Sequence, residues 1–264
     1  MELSQHDSQL PALQNRMEAL RLCVVVPTYN NQKTLRGVIH DIWEYTSNII
    51  VVNDGSTDST VDILKDFSGK ICIVSYMLNR GKGFALKIGF DEAENLGYRG
   101  AITIDSDGQH FASEIKRFVE YAEKYPDALL LGQRTAEGDM PAKNSFANKF
   151  SNFWFTVQTA YRFGDTQNGF RLYPLSAMKG MRPVSSRYEA ELETLVRTAW
   201  KGIKIVPVPT RVYYPPESER VTHFRPGRDF FRISVLNTLF TILAIVYGYP
   251  SMFFHRLFSK KKKS

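Results

Sequence analysis

The 264-residue chain is 43% hydrophobic and 13% aromatic, enough to bury a full core and to set aside global disorder. Its 34 Lys and Arg against 27 Asp and Glu give a formal charge of +7, which favours an anionic partner: nucleic acid, an acidic membrane surface or a phosphorylated substrate. The first twenty residues are polar and mixed in charge, which argues against a cleaved secretory signal. Cys23 and Cys72 both fall in apolar runs, as buried reduced thiols do.

From Leu22 onward short apolar runs alternate with amphipathic segments, the pattern of βαβ units in an α/β fold. Residues 22–26 read as the first strand and 33–45 as a helix, with Leu35, Val38, Ile39 and Ile42 at helical spacing. Residues 48–52 and 57–67 read as the second strand and helix, and 71–76 as a third strand. Residues 83–95 follow as a helix bearing Leu86, Ile88, Phe90 and Ala93. Residues 101–104 form the next strand, 113–125 a helix capped by Ser113, and 128–132 another strand. Past Arg134 the alternation breaks. Residues 136–143 are a loop, and 144–162 an aromatic-rich helix whose Phe146, Phe150, Phe153, Trp154, Phe155 and Tyr161 suit a lipid groove, a face that dips into the membrane, or core packing. Residues 189–200 read as a helix and 203–212 as a strand that Pro207 and Pro209 push to a sheet edge.

Ile233 to Phe254 is a run of 22 residues without a charge, and roughly 20 apolar residues span a bilayer as a helix. Asn237, Thr238 and Thr241 weaken its hydrophobicity, and Gly248-Tyr249-Pro250 should break or kink it. Arg228 and Arg232 before it and Lys260 to Lys263 after it bracket the segment with positive charge, which an anionic cytoplasmic leaflet would attract. Two shorter helices lying in the interface are favoured over one kinked transmembrane helix and over a buried C-terminal helix. The chain divides accordingly into an N-terminal extension (1–20), an α/β domain (21–228) and a membrane-associated helical tail with a basic terminus (229–264).

Chemistry concentrates where strands should end. The run ending at Ile104 delivers Asp105-Ser106-Asp107, and these two carboxylates converge only if the chain bends, a freedom Gly108 supplies. Crowded carboxylates repel unless a cation or a ligand's donors compensate. That arrangement suits a hard divalent metal holding a phosphate-bearing ligand; an isolated Asp-x-Asp reads first as an acidic turn, and it is the neighbouring motifs that favour the metal. Three earlier strands lead into Pro27-Thr28-Tyr29-Asn30-Asn31, Asn53-Asp54-Gly55-Ser56-Thr57-Asp58 and Asn79-Arg80-Gly81-Lys82-Gly83. Ligands bind at the carboxyl ends of strands in open α/β sheets. Asp54 and Asp105 are candidate acceptors for a base or ribose, and Lys82 at a helix N-terminus marks an anion site.

These motifs, in this order, resemble the family 2 glycosyltransferases, whose fold is called GT-A. The likeness covers roughly residues 22–212 and includes Asp105-Ser106-Asp107-Gly108-Gln109-His110. Asp165-Thr166-Gln167-Asn168-Gly169-Phe170-Arg171 looks most like the dolichyl-phosphate glucosyltransferase branch, with the mannosyl branch next. One position departs: Asn31 stands where the family often has Glu.

The resemblance implies a Rossmann-like GT-A sandwich with a mostly parallel central sheet. Pro27, Tyr29, Asp54 and Asp105 would frame the nucleotide's base and ribose, with Asn30, Lys82 and Ser106 in the same binding set. Asp107 would be the principal ligand of a Mg²⁺ or Mn²⁺ ion, with Gln109 nearby, and His110 would pack near the site without ligating. The implied reaction is an inverting transfer of a hexose, with UDP-glucose the favoured donor, to a polyprenyl or dolichyl phosphate on the cytoplasmic face. A phosphate acceptor is already anionic and needs cations rather than a base. Arg134 and Arg171 are the leading candidates, ahead of Arg220, His223, Arg225 and Arg228. A hydroxyl acceptor on a glycolipid or polysaccharide precursor would instead need a base, for which Asp165, Glu189 and Glu191 are candidates. A non-catalytic nucleotide-sugar-binding membrane protein is a third reading. A Rossmann dehydrogenase is set aside because no G-x-G-x-x-G follows the first strand. Nucleic acid is set aside because the basic charge gathers near the apolar tail and no reader motif is present.

Overall fold

A computed structural model of the chain describes residues 12–134, 142–214 and 226–261. Apolar runs that alternate with amphipathic helices pair in parallel. β1 (Leu22–Thr28) lies between β2 (Ile49–Asp54) and β4 (Gly100–Thr103), and β2 pairs with β3 (Cys72–Tyr76), all in parallel. A short strand, β6 (Arg171–Tyr173), inserts antiparallel between β4 and β5 (Leu129–Arg134), and β5 carries β7 (Ile205–Thr210) in parallel. The seven strands run β3-β2-β1-β4-β6-β5-β7. β7 is an edge, as its two prolines require.

Every residue of β1 and β2 is buried because helices cover both faces. On one face, Leu22, Val24 and Val26 pack with Val38, Ile39 and Ile42 of α2 (Leu35–Trp43) and with Phe118 and Val119 of α5 (Ile115–Lys124). Leu13 and Met17, on a helix over residues 12–19 (α1), join that core, so part of the expected N-terminal extension packs with the domain. On the other face, Cys23 and Val25 pack with Leu86 and Phe90 of α4 (Lys82–Asn95), Phe155 of α6 (Ala142–Thr159) and Leu195 and Val196 of α7 (Glu189–Trp200). α3 (Thr60–Lys65) follows β2. Both cysteines are free thiols, Cys23 buried and Cys72 half-buried.

Three sequence expectations change. β6 was not anticipated. Ser113 does not cap a helix; it lies inside a 3-10 turn, Ala112–Glu114, that leads into α5. The tail is not two separate helices: α8 (Pro226–Leu243) and α9 (Tyr249–Lys261) join through a π-helical turn, Ala244–Gly248, so Gly248 and Pro250 do not interrupt the helix. A π turn absorbs the backbone group that a following proline leaves unpaired.

Candidate active site

Polar side chains tie the four strand-end loops together. Ser106 donates from Oγ to the Pro27 carbonyl at 3.1 Å and receives a short hydrogen bond from Asn31 Nδ2, while Thr34 Oγ1 donates to the Ser106 carbonyl at 2.6 Å. Asn30 takes a positive φ of 50°. Its backbone N–H reaches Ser56 Oγ at 3.0 Å, and its Oδ1 accepts the Thr57 N–H at 2.7 Å. Asn31, standing where the family often has an acid, is therefore a buried strut between loops. Tyr29 is half-buried at the end of β1.

Asp54 has a structural task. Its carboxylate accepts the backbone N–H groups of Arg80 (2.7 Å) and Gly81 (2.8 Å) and the Asn79 side chain (2.9 Å), and it is 3% exposed. The loop that leads into α4 is thus held by the protein's own carboxylate. The Phe84 N–H behind it goes to the Ser186 carbonyl at 3.0 Å. Gly83 fits closely under this segment, since a Cβ there would lie 2.9 Å from the Ser185 and Arg187 carbonyls.

The bend after β4 occurs where expected, with Gly108 at φ +77°. Lys82 Nζ sits 2.7 Å from Asp105 Oδ1 and 2.9 Å from Glu191 Oε2, so one ammonium links α4, the loop after β4 and the first turn of α7. His110 Nε2 lies 3.8 Å from the other Asp105 oxygen and its ring rests edge-on against Phe170. Burial alone would raise the pKa of Asp105, but the Lys82 ammonium, reinforced by His110, outweighs it and holds the carboxyl well below its ordinary range. Burial likewise opposes the charge on Lys82, and the two carboxylates overcome it, so its pKa stands above the usual value. Gly169 leaves the room for this contact: a Cβ would stand 2.6 Å from Asp105 Oδ2 and 3.1 Å from Lys82 Nζ.

Asp107 is the opposite case. Burial, then the neighbouring Asp105 charge, push its pKa up. Its Oδ1 accepts the Gln109 backbone N–H at 3.0 Å, and among the described residues no Lys or Arg forms an ion pair with it. The two acids of the motif therefore differ: Asp105 is ion-paired with Lys82, whereas Asp107 has no ion-pair partner among the described residues and its charge is disfavoured by burial and by Asp105, an environment that fits a cation. Among the described residues no group of three or more His, Cys, Asp or Glu could hold a metal. A cation at Asp107 would need ligand oxygens from a bound diphosphate to complete its shell. Gln109 is held from behind, its carbonyl accepting the Tyr213 N–H at 2.8 Å, while His110 bridges Val212.

The segment 165–171 meets the site at Gly169. Arg134 clasps Asp165 with two nitrogens, Nη2 to Oδ1 at 2.8 Å plus a short Nε contact to Oδ2, and donates from Nη1 to the Tyr214 hydroxyl at 2.9 Å. Arg171 is not at the cleft surface. It is wholly buried, and its guanidinium donates to the carbonyls of Asn168 (2.8 Å), Glu191 (2.8 Å) and Thr166 (2.9 Å). The acceptor-phosphate role expected for it gives way to a structural one, pinning this segment to α7. Glu189, in the same first turn of α7 as Glu191, pairs with Arg232 of α8 at 3.0 Å. Arg220, His223 and Arg225 lie outside the described residues, as does the side chain of Arg228.

A family model described as glycosyl transferase family 2 matches residues 23–179, more than half of the chain. The chain belongs to that family. It is a glycosyltransferase. The glycosyltransferase AglJ of Haloferax volcanii is 29% identical over 212 residues, covering 79% of this chain and 68% of that protein. The UDP-N-acetylglucosamine–dolichyl-phosphate N-acetylglucosaminyltransferase of Methanococcus voltae is 27% identical over 237 residues, covering 81% and 94%. A dolichyl-phosphate beta-glucosyltransferase of Dictyostelium discoideum is 29% identical over 235 residues, covering 76% and 69%. Glucosyl-3-phosphoglycerate synthase of Mycobacterium tuberculosis, solved with Mn²⁺, UDP-glucose and phosphoglyceric acid, superposes with a TM-score of 0.62 at 18% identity. The match covers 89% of this glycosyltransferase and 83% of that chain, and it shows the shared fold.

Sequence reasoning named Lys82 and Glu191 separately and missed their pairing. It also missed Gly169 as a space-making residue and Tyr214 as the partner of Arg134. A signal for the first existed: two glutamates at the start of a helix whose neighbours are apolar are candidates for burial with a cation.

Proposed function

We propose that this glycosyltransferase moves a hexose, glucose in the favoured reading, from UDP to a polyprenyl or dolichyl phosphate at a membrane, with inversion at the anomeric carbon. The observation that carries the reading is the split between the two motif acids, Asp105 ion-paired with Lys82 and Asp107 without an ion-pair partner among the described residues. Asp107, with Gln109 beside it, would hold a Mg²⁺ or Mn²⁺ ion, whose chemistry when bound is to neutralise charge on the departing diphosphate. Pro27, Tyr29, Asn30 and Ser106 border the nucleotide side. Asp54 and Asp105 support it from behind, the first by fixing the loop at Asn79–Gly81 and the second through Lys82.

A phosphate acceptor is supported by the state of the candidate bases. Asp165, Glu189 and Glu191 are each ion-paired, to Arg134, Arg232 and Lys82. A carboxylate clasped by a cation is a poor proton acceptor, and a phosphate acceptor needs none. Arg134 is the described cation best suited to face that phosphate, since its planar fork is already aimed by Asp165 and Tyr214. The names of the Methanococcus voltae and Dictyostelium discoideum relatives favour the same acceptor class.

Purified full-length chain with a panel of nucleotide sugars, divalent metal and polyprenyl phosphate should yield a lipid-linked hexose detectable by mass spectrometry. Chelation should abolish it. Transfer to a free polyprenol or glycolipid hydroxyl but not to the phosphate would overturn the acceptor assignment, and no product with any donor would overturn the reading as a whole.

A further inference from the structure

The apolar tail is fastened along the side of the catalytic domain. One stripe of the α8–α9 run, namely Asn237, Phe240, Ala244, Gly248 and Met252, is buried against α6 and α7. Polar contacts hold it in place. Gln158 Nε2 donates to Asn237 Oδ1 at 3.2 Å and Ser251 Oγ to the Trp200 carbonyl at 2.8 Å, while Trp200 Nε1 ties α7 to α6 at the Gln158 carbonyl at 2.8 Å. Two glycines allow the close approach: a Cβ on Gly248 would lie 2.4 Å from Trp200 Nε1, and one on Gly202 would lie 2.9 Å from His255. At the near end, Arg232 reaches Glu189 at 3.0 Å.

These attachments run from residue 232 to 255, about 35 Å of helix at 1.5 Å per residue. That exceeds the ~30 Å hydrocarbon core of a bilayer. The segment is long and apolar enough to cross a membrane by composition. Crossing while docked, however, would carry α6 and α7, with their buried glutamates and amides, into hydrocarbon, where such groups have no water to meet. The opposite side of the helix is bare and apolar: Phe231, Val235, Leu239, Ile242, Val246 and Phe253 are exposed, Val246 to 74%. Residues 226–264 hold Arg228, Arg232, Arg256 and Lys260 to Lys263 against a single acid, Asp229. A helix with one docked side, one apolar side and basic ends is matched to the surface of an anionic leaflet.

We propose that the α8–α9 helix lies flat on one leaflet as a membrane-binding platform. Its outward apolar face would sink ~5–10 Å into the headgroup–acyl boundary, and its basic ends would meet anionic headgroups. The first turn of α7, with Glu189 and Glu191, is thereby held at a fixed height above the lipid through Arg232. The platform rests on the membrane reading above but not on the identity of the sugar or acceptor.

The test uses the full chain with Cys23→Ala and Cys72→Ser, carrying Val235→Cys, Val246→Cys or Leu257→Cys labelled with an environment-sensitive fluorophore. Vesicles of phosphatidylcholine, with or without phosphatidylserine, contain lipids brominated at shallow or deep positions. All three labels should be quenched by the shallow bromines, and binding should be stronger on the anionic vesicles. A deep position for residue 246 between two shallow flanks would show a spanning helix and overturn the proposal. A chain that sediments as a dimer and ignores vesicles would do the same, assigning the face to a second copy. Ile242→Glu with Val246→Glu should lower vesicle partitioning about tenfold or more, because a charge on the sunken face is expelled, with the melting temperature unchanged. Transfer to a short, water-soluble polyprenyl phosphate should persist in that variant. Lost vesicle binding by the unmodified chain with intact transfer would sink the platform alone, and intact binding without transfer would sink the transfer reading alone.

Discussion

Lys82→Met removes the ammonium that faces both Asp105 and Glu191. The three side chains are 16%, 24% and 11% exposed, so the two carboxylates left behind confront each other with little water to screen them. Removing one partner of a buried ion pair costs about 3–5 kcal/mol because the survivor stays charged and unpaired. For a domain of this size that corresponds to a fall in Tm of about 6–20 °C. The pH dependence follows from the wild-type shifts. Asp105 has a depressed folded pKa, so its contribution is present above its unfolded value, near 3.9, and is lost as pH falls through the folded value. Lys82 has a raised folded pKa, so its contribution is present below its unfolded value, near 10.4, and is lost only as pH rises through the folded one. Between these limits the wild type is flat. In the variant, burial acts on Asp105 without its counter-ion, its pKa rises, and acidification towards pH 4 restores stability that neutral pH withholds. Urea titrations at pH 7 and pH 5, on the single variant and on the double variant with Glu191→Gln, measure both effects. The double-mutant coupling should be about 0.5–3 kcal/mol. A loss below about 1 kcal/mol at pH 7, or an equal loss at both pH values, would refute the neutralising role of Lys82.

Asp107→Asn should cut metal-dependent transfer by about 10²-fold or more while leaving the melting temperature equal to or above wild type, because the charge it removes is held at a raised pKa. With UDP present to supply the diphosphate oxygens, added Mn²⁺ at about a hundred times its Kd should stabilise the wild type by about 2.7 kcal/mol in thermal melts, and the variant should not respond. Gly169→Ala inserts a methyl 2.6 Å from Asp105 Oδ2. It should lower kcat/KM by about tenfold to a hundredfold through displacement of the Asp105–Lys82 pair, with far-UV circular dichroism unchanged. Arg134→Lys keeps the charge but loses the two-nitrogen clasp on Asp165, so transfer should fall about tenfold or more, and unaltered kinetics would show that geometry at Arg134 is irrelevant.

The parallel half of the sheet and the helix at residues 189–200 were readable because their periodicity is long and unbroken. β6 was not, because three residues are too few to show a period and its antiparallel insertion is decided by partners in β4 and β5. The motif loops were legible as a set, but the tasks of individual residues were not. Asp54 and Arg171 have the chemistry of ligand contacts, yet both satisfy the protein's own backbone, Asp54 through N–H groups at 80 and 81 and Arg171 through carbonyls at 166, 168 and 191. Nothing local distinguishes a carboxylate that binds a ribose from one that closes a loop, since both need the same lone pairs. The apolar tail was misread for a related reason. Gly248 and Pro250 signal a break only if nothing braces the helix, and the brace, Trp200, comes from another element.

Internal satisfaction of that kind bears on what remains for substrate. Asp54 is taken up by the N–H groups at 80 and 81, Lys82 by Asp105 and Glu191, and Arg232 by Glu189, so these groups engage one another before any ligand arrives. Asp107 has no ion-pair partner among the described residues, and in the proposed reading a cation would settle beside it rather than midway between the two acids. On the acceptor side Arg134 is paired one to one with Asp165, whose Oδ1 also accepts the Gln167 N–H at 3.1 Å, so the guanidinium is held in a fixed orientation. In the proposed reading an acceptor bringing its own negative charge would meet that guanidinium without any proton transfer. In the proposed reading a hydroxyl would first have to dislodge a carboxylate from its cation, whereas a lipid phosphate would not.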